Sequence, residues 1–512
     1  MRPPAQTLAD LFRSTLPLHG DRPAIRVDGH TTSYAELTSL ARRCLGGLRA
    51  LGVRSGDRVG LLLPNGLEYV VADLAITMLG AVKVPLNELL TAADVAYMLD
   101  HAGARFVIEC RSPEERQRST PAEPNPNSDG IHVRHASSPR SELSWHRLLD
   151  LGAEASPPTR IGPHMPAVIM YTGGTTGRPK GVLHTQQSLA INLLTHIFCG
   201  EILEDERMLL TTPLPHSAGF HLQACLVQGG CVELHRRFEP GAVIDAIGAG
   251  GVSWTFMVPT MIHRLLEALR ARSIDKLPGL RALVYGAAPI AAAKLEEALA
   301  VLGPVLIQLY GQAEAPNYLT RLSKRDHADP ALVGSCGRPV PTAEIRVLDG
   351  QGAVVPAGEV GEIVARTCYS LEGYYGDEEK TDLAYAGEWL KTGDLGYQSR
   401  DGYVFLVDRV KDMIISGGMN VYSTEVEAVI QEAGGVAQVM VVGLPDADWG
   451  EAVTACVVRE PSSGTDEAAI LRHCRARLAA YKVPKRVLFV ESLPLTRYGK
   501  PDKKALRAIA AG

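Results

Sequence analysis

The first half of the chain alternates between segments with helical apolar spacing and short apolar runs. LTSLARRCLGGLRALGV (37–53) has helical spacing, and DRVGLLLPN (57–65) follows as a short strand closed by a Pro-Asn turn. LEYVVADLAITMLGA (67–81) and AVKVPLN (81–87) repeat this unit, and ARFVIEC (104–110) repeats the strand. Because such alternation places helices on the faces of sheets, it predicts an α/β fold.

A chain of 512 residues is too long for one compact core, which predicts more than one domain. After Ser335 the pattern changes to shorter strands, typical of a barrel-like or antiparallel subdomain: EIRVLD, GEIVAR and GYVFLVD. A small α+β pattern closes the chain. We therefore predict a large N-terminal domain over 1–407 and a small, mobile C-terminal domain over 408–512, with a hinge at Asp408.

The composition excludes several classes of function. With 57 acidic and 52 basic side chains, the net charge of -5 gives no field that would recruit nucleic acid or an anionic membrane. The nine cysteines form no CxxC pair, which favours reduced thiols in a cytoplasmic protein. The start MRPPAQTLADLF has no uninterrupted apolar core, so we expect no signal peptide. The apolar stretch 70–86 contains Asp73, Lys83 and Pro85 and predicts a buried helix and strand rather than a membrane span. The Pro-, Ser- and charge-rich segment 111–144 predicts a partly mobile surface excursion.

The loop YTGGTTGRPKG (171–181) carries the clearest chemical signal. It follows the apolar run AVIMYT, so a strand should lead into it. Its glycines allow a tight turn with free backbone amides, its threonines add hydroxyl donors, and Lys180 adds a positive charge. The loop is not a P-loop, because Gly181 and Val182 follow Lys180 where Ser or Thr is required. This combination predicts a polyphosphate site.

Five further motifs occur in an order that resembles the adenylate-forming (AMP-binding) superfamily, which includes acyl-CoA synthetases, aryl-CoA ligases, firefly luciferase and peptide-synthetase adenylation domains. They are GAAP (286–289), YGQAE (310–314), KTGD (391–394), DRVKDMIISGGMNVYSTEVE (408–427) and PLTRYGKPDKKALR (494–507). Together with the loop they cover nearly the whole chain. The resemblance implies a ligase that uses ATP and Mg²⁺ to activate an acid as an acyl-adenylate.

The resemblance also implies a role for each matching residue. Lys500, Glu314 and Lys180 would be catalytic, and Glu314 would be the Mg²⁺ ligand. Lys500 would bridge the carboxylate and the α-phosphate, where two anions meet and positive charge is needed. The remaining ATP contacts would be the phosphate loop (Thr172, Gly173, Gly174, Thr175, Thr176 and Gly177), the adenine contacts (Gly286, Ala287, Ala288, Tyr310 and Gly311) and the ribose contacts (Asp394 and Arg409).

One position departs from the family pattern. The motif around Glu314 usually reads Tyr-Gly-x-Thr-Glu, but here Ala313 replaces the threonine. Losing the hydrogen bond of that hydroxyl costs about 1 kcal/mol, so activity can survive. The change weakens the inference that the acid is an ordinary carboxylate.

Passing on the adenylate requires a second arrangement of the site. The resemblance implies that the C-terminal domain rotates about Asp408 and presents Gly417 and Gly418 to a pantetheine thiol in a narrow channel. The acceptor is coenzyme A or the pantetheine arm of a carrier protein. The absence of an appended carrier domain and the segment LPDADWGEAV (444–453), which resembles the acyl-CoA synthetase form, favour coenzyme A.

The acid should lie between PLPHSAGF, the strand before GAAP and the YGQAE turn. The pocket residues are then His216, Phe220, His221, Tyr285 and Gly311. His216 either contacts the acid or is a structural histidine. No aspartate in PHSAGFH could pair with an α-ammonium group, which disfavours an amino acid and favours a fatty or aromatic acid.

The sequence thus predicts an AMP-forming acyl- or aryl-CoA synthetase, with a small acid and coenzyme A as its partners. Three alternatives stay open. The first is a stand-alone enzyme that loads a carrier protein. The second is an adenylating enzyme that activates a non-carboxylate anion such as nitrite for an arylamine. The third is a non-catalytic nucleotide-binding regulator, which the set of Lys180, Glu314, Asp394 and Lys500 disfavours.

Overall fold

The computed structural model describes residues 6–110, 131–135, 138–153, 155–158, 160–172, 178–461, 463–494 and 502–511. The chain divides into two compact units. The first comprises Met1–Glu344 and Arg366–Tyr385, and the second comprises Ile345–Ala365 and Ala386–Gly512. The predicted hinge at Asp408 stays a prediction, and most of the predicted surface excursion over 111–144 lies outside the described residues.

The strands of the first unit form two mixed sheets. The nine-stranded sheet has the order β16-β15-β14-β13-β12-β10-β11-β1-β2, and the eight-stranded sheet has the order β19-β9-β8-β4-β3-β5-β6-β7. Their strands are β1 Pro23–Val27, β2 His30–Ser33, β3 Arg58–Leu62, β4 Val82–Pro85, β5 Phe106–Cys110, β6 Ile131–His135, β7 Ser138–Ser144, β8 Pro166–Thr172, β9 Lys180–Thr185, β10 Arg207–Leu210, β11 Cys231–Leu234, β12 Trp254–Met257, β13 Ala282–Gly286, β14 Leu306–Gln312, β15 Ala315–Leu322, β16 Arg338–Pro339 and β19 Gly373–Tyr374.

Parallel pairing dominates the centre of each sheet. β1, β11, β10, β12, β13 and β14 are parallel neighbours in the nine-stranded sheet, and β5, β3, β4 and β8 are parallel neighbours in the other. Because parallel strands need crossover connections, helices lie between them in the sequence. The helices of this unit are Leu8–Thr15, Tyr34–Ala50, Leu67–Leu79, Ala92–Ala102, Trp145–Leu151, Gln186–Cys199, Gly219–Gln228, Pro240–Gly248, Pro259–Ala271, Ala292–Leu302 and Glu378–Leu383.

The segment 70–86 forms a buried helix and strand, as predicted. Eleven residues of the helix Leu67–Leu79 are buried, and the helix ends at Gly80, whose φ of +73° suits glycine. β4 follows and is buried at three of its four positions. In the described part of the chain, no helix is long and apolar enough to cross a membrane.

The second unit contains two five-stranded sheets. One has the order β17-β18-β21-β20 with β22 on β21, and the other has the order β24-β23-β26-β25 with β27 on β26. The strands are β17 Ala343–Leu348, β18 Gly361–Thr367, β20 Tyr385–Ala386, β21 Trp389–Gln398, β22 Val404–Arg409, β23 Ile414–Ser416, β24 Met419–Val421, β25 Val436–Asp446, β26 Gly450–Arg459 and β27 Arg486–Phe489. The helices are Ser423–Gln431, Glu467–Arg475 and Lys503–Ala511. The short strands after Ser335 and the closing α+β unit are therefore present. All nine cysteines lie in described residues and are free thiols.

Candidate active site

The hairpin that carries the Gly/Thr-rich loop fixes both ends of that loop. β8 and β9 pair antiparallel, with Thr172 opposite Lys180. A Cβ at Gly181 would lie 2.8 Å from Ile169 Cγ2, so glycine lets the two strands stay close. The predicted phosphate contacts Thr172 and Lys180 are therefore neighbours. The other predicted phosphate contacts lie between these two and outside the described residues: Gly173, Gly174, Thr175, Thr176 and Gly177.

Tyr374 joins Lys180 to Glu314, although the two belong to motifs far apart in the sequence. Its hydroxyl donates a hydrogen bond to Glu314 Oε1 over 2.8 Å. The ammonium of Lys180 lies 4.6 Å from the centroid of the same ring, within cation–π distance. Burial, with the Glu314 carboxylate adding to it, raises the pKa of Tyr374, so its phenol stays protonated and keeps donating. The predicted phosphate cation and the predicted metal ligand thus share one aromatic residue.

Backbone pairing holds Tyr374 in this place. Gly373 and Tyr374 form β19, which pairs with β9 opposite Leu183 and Val182. The Leu371 N–H also donates to the Glu314 carbonyl over 2.7 Å. The segment therefore connects the phosphate hairpin to the Glu314 turn. The sequence interpretation missed Tyr374, since its position depends on this long-range pairing.

A buried histidine fixes the turn that contains the unusual Ala313. Ala313 and Glu314 form the tight turn between β14 and β15. His184 Nε2 lies 2.7 Å from the Ala313 carbonyl, which can only accept, so Nε2 carries the proton. Burial lowers the pKa of His184 to about 4, so this ring is neutral at pH 7. The turn is therefore held through its backbone, independently of the side chain at 313.

The donor set around Glu314 fits Mg²⁺ bound mainly through a nucleotide. Among the described residues, no three His, Cys, Asp or Glu side chains gather into a metal-binding group. Mg²⁺ commonly uses one or two carboxylates and takes its other ligands from phosphates and water. A single carboxylate oriented by Tyr374 near Lys180 is compatible with that mode of binding.

The predicted adenine contacts lie at the carboxyl ends of two adjacent parallel strands. β13 ends at Gly286, which pairs with Leu309 on β14, next to Tyr310. A Cβ at Gly286 would lie 2.5 Å from the Leu309 carbonyl oxygen, so a larger residue would separate the strands. Ala287 follows with φ of +68°, a left-handed conformation that is unusual for alanine. Ala288 follows this turn, which directs the backbone of the GAAP motif towards the end of the sheet where ligands of α/β proteins bind.

Gly311 is required by the hairpin between β14 and β15. The pairing register shifts between Tyr310 and Gln312, and a Cβ at Gly311 would lie 2.7 Å from the Asn317 carbonyl carbon. Asn317 itself has φ of +65°, a conformation that asparagine tolerates. The YGQAE segment is therefore closely packed against its own hairpin partner.

His216 lies in an irregular turn that links Pro213 to the helix Gly219–Gln228. Its own φ and ψ, −115° and −151°, are not helical. Asn87 Nδ2 is 3.0 Å from His216 Nε2, while Asn87 Oδ1 accepts from the Leu89 N–H. The asparagine therefore donates to the histidine, which makes Nε2 an acceptor. Asn87, the last residue of the segment AVKVPLN (81–87), is thus a positioning residue that the sequence interpretation did not assign.

Asn317 ties the start of the same helix to a second buried histidine. Ser217 Oγ donates to Asn317 Oδ1 over 2.7 Å, and Asn317 Nδ2 lies 2.8 Å from His196 Nε2. His196 Nδ1 donates to the Asn192 carbonyl, so its Nε2 accepts from Asn317. Phe220 stacks on the His196 ring with centroids 5.6 Å apart. This network fixes the segment that carries His216 and Phe220.

His216 and Phe220 line a small cavity together with Met170 and Leu189. His221 and Tyr285 do not line it and are buried in the core. The His221 ring lies 5.0 Å from the rings of Trp254 and Phe256, and neither of its nitrogens has a hydrogen-bond partner among the described residues. Tyr285 donates to His327 Nε2 over 2.9 Å within a buried cluster. Both side chains point into the packed interior, and their predicted contact with the acid stays a prediction.

In the second unit, the predicted ribose contacts form an ion pair. Asp394 on β21 and Arg409 on β22 are directly opposite in the antiparallel register. Arg409 Nε lies 3.0 Å from Asp394 Oδ1, with the arginine half exposed and the aspartate buried. The arginine therefore orients the carboxylate.

The Asp408 carboxylate holds the start of the next helix. Its Oδ2 accepts hydrogen bonds from both the backbone N–H and the hydroxyl of Ser423, at 2.5 and 2.7 Å. A carboxylate at a helix N-terminus is stabilised by the helix dipole. The predicted hinge residue is thus bonded to the helix Ser423–Gln431, which a rotation of the C-terminal part would carry with it.

Gly417 and Gly418 form the two-residue turn of a β-hairpin between β23 and β24. Their φ values of +60° and +76° match a type I′ turn, which requires φ above zero at both positions. A Cβ at Gly417 would also lie 3.0 Å from the Trp449 ring. Backbone geometry alone therefore favours glycine at both positions, and the predicted pantetheine channel stays a prediction. Lys500 lies outside the described residues.

Comparison with known proteins identifies the family of the chain. Residues 12–375 match the AMP-binding enzyme family and residues 425–500 match the AMP-binding enzyme C-terminal domain. The medium/long-chain-fatty-acid–CoA ligase FadD8 of Mycobacterium tuberculosis is 36% identical over 97% of this chain and 89% of its own length. Feruloyl-CoA synthase of an Amycolatopsis species is 37% identical, covering 94% of this chain and 95% of its own. The solved structure of the amide bond synthetase McbA from Marinactinospora thermotolerans is 30% identical with a TM-score of 0.84, covering 98% and 99% of the two chains.

The match to the first family model spans well over half of the chain, and the relatives align over nearly all of it. The predicted resemblance and the predicted α/β fold are therefore confirmed. This chain belongs to the family of AMP-binding enzymes.

Proposed function

We propose that this protein is an AMP-forming acid–thiol ligase. In the first step, an oxygen of the acid attacks the α-phosphorus of ATP, and the bond to the bridging oxygen breaks, releasing pyrophosphate. In the second step, the thiol of coenzyme A loses its proton and attacks the acyl carbon, forming a thioester and releasing AMP. The protein must hold negative charge in the first step and admit a thiol in the second.

The observation that carries this proposal is the cluster of Lys180, Tyr374 and Glu314. Two motifs predicted separately to bind phosphate and metal meet on one tyrosine. Lys180 places positive charge where the β- and γ-phosphates would lie, next to the hairpin end that holds Thr172. Glu314, kept in place by the Tyr374 hydroxyl, would hold Mg²⁺. When bound, Mg²⁺ neutralises the charge that develops on the leaving pyrophosphate.

Two other groups of residues, one in each unit, are proposed to contact the nucleoside part of ATP. The left-handed turn at Ala287 and the neighbouring Tyr310 support a backbone contact and a stacking contact for adenine. The buried carboxylate of Asp394, held by Arg409, is suited to accept hydrogen bonds from the ribose hydroxyls. Lys500 completes the set by meeting the α-phosphate and the acid oxygen, where its charge stabilises the transition state.

The second step rests on the residues around Asp408. Because its carboxylate is bonded to the first residue of the helix Ser423–Gln431, a change in backbone conformation at 408 would move that helix. The turn at Gly417 and Gly418 has no side chains to obstruct a thin pantetheine arm. Nine free thiols support a cytoplasmic location.

Pyrophosphate release in the presence of MgATP tests the proposal. Purified protein is supplied with a panel of fatty and aromatic carboxylic acids, with and without coenzyme A, and thioester is measured in parallel. The proposal expects acid-dependent pyrophosphate release, and thioester only with coenzyme A. Release of inorganic phosphate and ADP, or no release with any acid, would contradict it. Thioester formed only on an added carrier protein would change the acceptor and leave the first step intact.

A second candidate passes the adenylate to an amine. The 30% identity with the amide bond synthetase McbA over nearly the whole chain favours it. The same screen is repeated with amines in place of coenzyme A, and separately with nitrite and an arylamine. It distinguishes transfer to an amine from transfer to a thiol. Amide or diazonium product without thioester would favour the second candidate.

A further inference from the structure

One face of the helix Ala92–Ala102 meets the hairpin that carries the Gly/Thr-rich loop. The hydroxyl of Tyr97 donates a hydrogen bond to the Pro179 carbonyl over 3.3 Å. The guanidinium of Arg178 lies 5.2 Å from the centroid of the Tyr97 ring, within cation–π distance. Tyr97 therefore contacts both residues that come directly before Lys180, one through its hydroxyl and one through its ring.

His101 lies one helical turn after Tyr97, so the two side chains share this face. Its Nδ1 is 2.8 Å from the hydroxyl of Tyr171, the residue directly before Thr172. Burial raises the pKa of Tyr171, so the hydroxyl stays neutral and can donate to the histidine or accept from it. The His101 ring also lies 5.5–6.0 Å from the rings of Tyr97, Tyr171 and Tyr375. The helix thus contacts the hairpin at both ends of the loop.

The core of the first unit holds this helix in place. Three of its residues, Met98, Leu99 and Ala102, are buried in an apolar cluster with residues of β4, β5 and β8. Tyr171 belongs to the same cluster, and Tyr97 packs against it. Because protein interiors are close-packed, side chains on such a helix have well-defined positions. The helix is therefore a fixed support for the two ends of the loop.

Support at these two points matters for a phosphate site. Strand pairing places Thr172 opposite Lys180, and the last pair of a ladder is the one that opens most readily. If groups that bind a ligand become ordered only on binding, the cost of ordering them lowers the affinity. Side chains that hold both strand ends beforehand therefore favour the binding of a polyphosphate.

We propose that Tyr97 and His101 are positioning residues for the β- and γ-phosphates of ATP. They hold the two ends of the loop, so that Thr172 and Lys180 are in place before the nucleotide binds. The inference rests on the proposed function, since it concerns the same phosphate site. Both residues act through the hairpin and take no part in the transfer of AMP.

The test compares a nucleotide that has these phosphates with one that lacks them. Kd is measured by isothermal titration calorimetry for MgATP and for AMP, without acid or coenzyme A. Tyr97→Phe removes the hydrogen bond to Pro179 and keeps the ring beside Arg178. Tyr171→Phe removes the hydrogen bond to His101. We expect each variant to raise the Kd for MgATP by about fivefold, the effect of one neutral hydrogen bond, and to leave the Kd for AMP unchanged.

Tyr34→Phe is the matched control. The Tyr34 hydroxyl also donates to a backbone carbonyl, that of Gly230, over 2.6 Å, but this bond joins the helix Tyr34–Ala50 to the residue before β11. The variant should lower Tm and keep the wild-type Kd for both nucleotides.

An unchanged Kd for MgATP in Tyr97→Phe or Tyr171→Phe, or an equal rise in the Kd for AMP, would overturn the inference, as would a wild type that does not bind MgATP. Because the measurement needs no acid, it decides the inference even where no acid supports pyrophosphate release and the proposed function fails.

Discussion

Replacing Tyr374 by Phe removes one hydroxyl and keeps the ring under Lys180. The hydroxyl donates to Glu314 Oε1 over 2.8 Å, and Lys180 Nζ is 4.6 Å from the ring centroid. A hydrogen bond to a charged group contributes about 1.5–3 kcal/mol. Because Glu314 is partly exposed, the lower end applies, which corresponds to about tenfold in rate.

The assay is the initial rate of pyrophosphate release at varied MgATP, with the acid saturating. We expect Tyr374→Phe to lower kcat/KM for MgATP by about tenfold, because Glu314 loses its orientation. Tyr374→Leu should lose more, since it also removes a cation–π contact worth about 0.5–2 kcal/mol. Tyr397→Phe is the control, because Tyr397 stacks on Phe405 in the second unit with centroids 4.9 Å apart and has no assigned role in the reaction.

A wild-type value of kcat/KM in Tyr374→Phe would contradict this prediction. It would show that Glu314 is oriented without the hydroxyl, for example by the Leu371 N–H bond to its carbonyl. If Tyr374→Phe and Tyr374→Leu lower Tm by the same amount, Tyr374 contributes to folding rather than to catalysis. The phenol's raised pKa adds a check, because the pH profile at neutral pH should show no loss that follows ionisation of Tyr374.

Three further predictions concern the other parts of the site. Lys500→Ala should lower adenylate formation by about 10²–10³-fold, measured as pyrophosphate release, and near-normal release would exclude its assigned role. Gly418→Ala forces alanine into φ of +76° and should cost about 1–2 kcal/mol of stability by denaturant unfolding while slowing thioester formation more than pyrophosphate release. His184 is buried neutral with its pKa lowered to about 4. The contribution of neutral His184 to the free energy of unfolding is complete above the unfolded-state pKa near 6.5. It is lost as pH falls towards 4, which lowers the free energy of unfolding by about 3 kcal/mol. His184→Gln should therefore flatten the fall in unfolding free energy between pH 6.5 and 4, and an unchanged slope would contradict the assignment.

Local sequence patterns predicted the elements that depend on neighbouring residues. The alternating helices and strands, and the strand leading into the Gly/Thr-rich loop, follow from apolar spacing. The motif order also identified Asp394 and Arg409, which face each other across β21 and β22. These features need no knowledge of distant contacts.

The positions that sequence patterns missed depend on long-range pairing. Tyr374 meets Glu314 only because β19 pairs with β9, and His184 reaches Ala313 only after two sheets form. The direction of a side chain is equally hidden in a motif. Phe220 lines the cavity, whereas His221, about 100° further around the helix, packs against Trp254 in the core.

Incubation with [α-³²P]ATP, Mg²⁺ and an aromatic acid, without coenzyme A, decides whether this enzyme transfers AMP or a phosphoryl group to the acid. We expect the label to appear in an acid-dependent acyl-AMP, with an equal amount of pyrophosphate, and we expect Lys500→Ala to reduce both. Label recovered in ADP, with the γ-phosphate released or transferred, would contradict it.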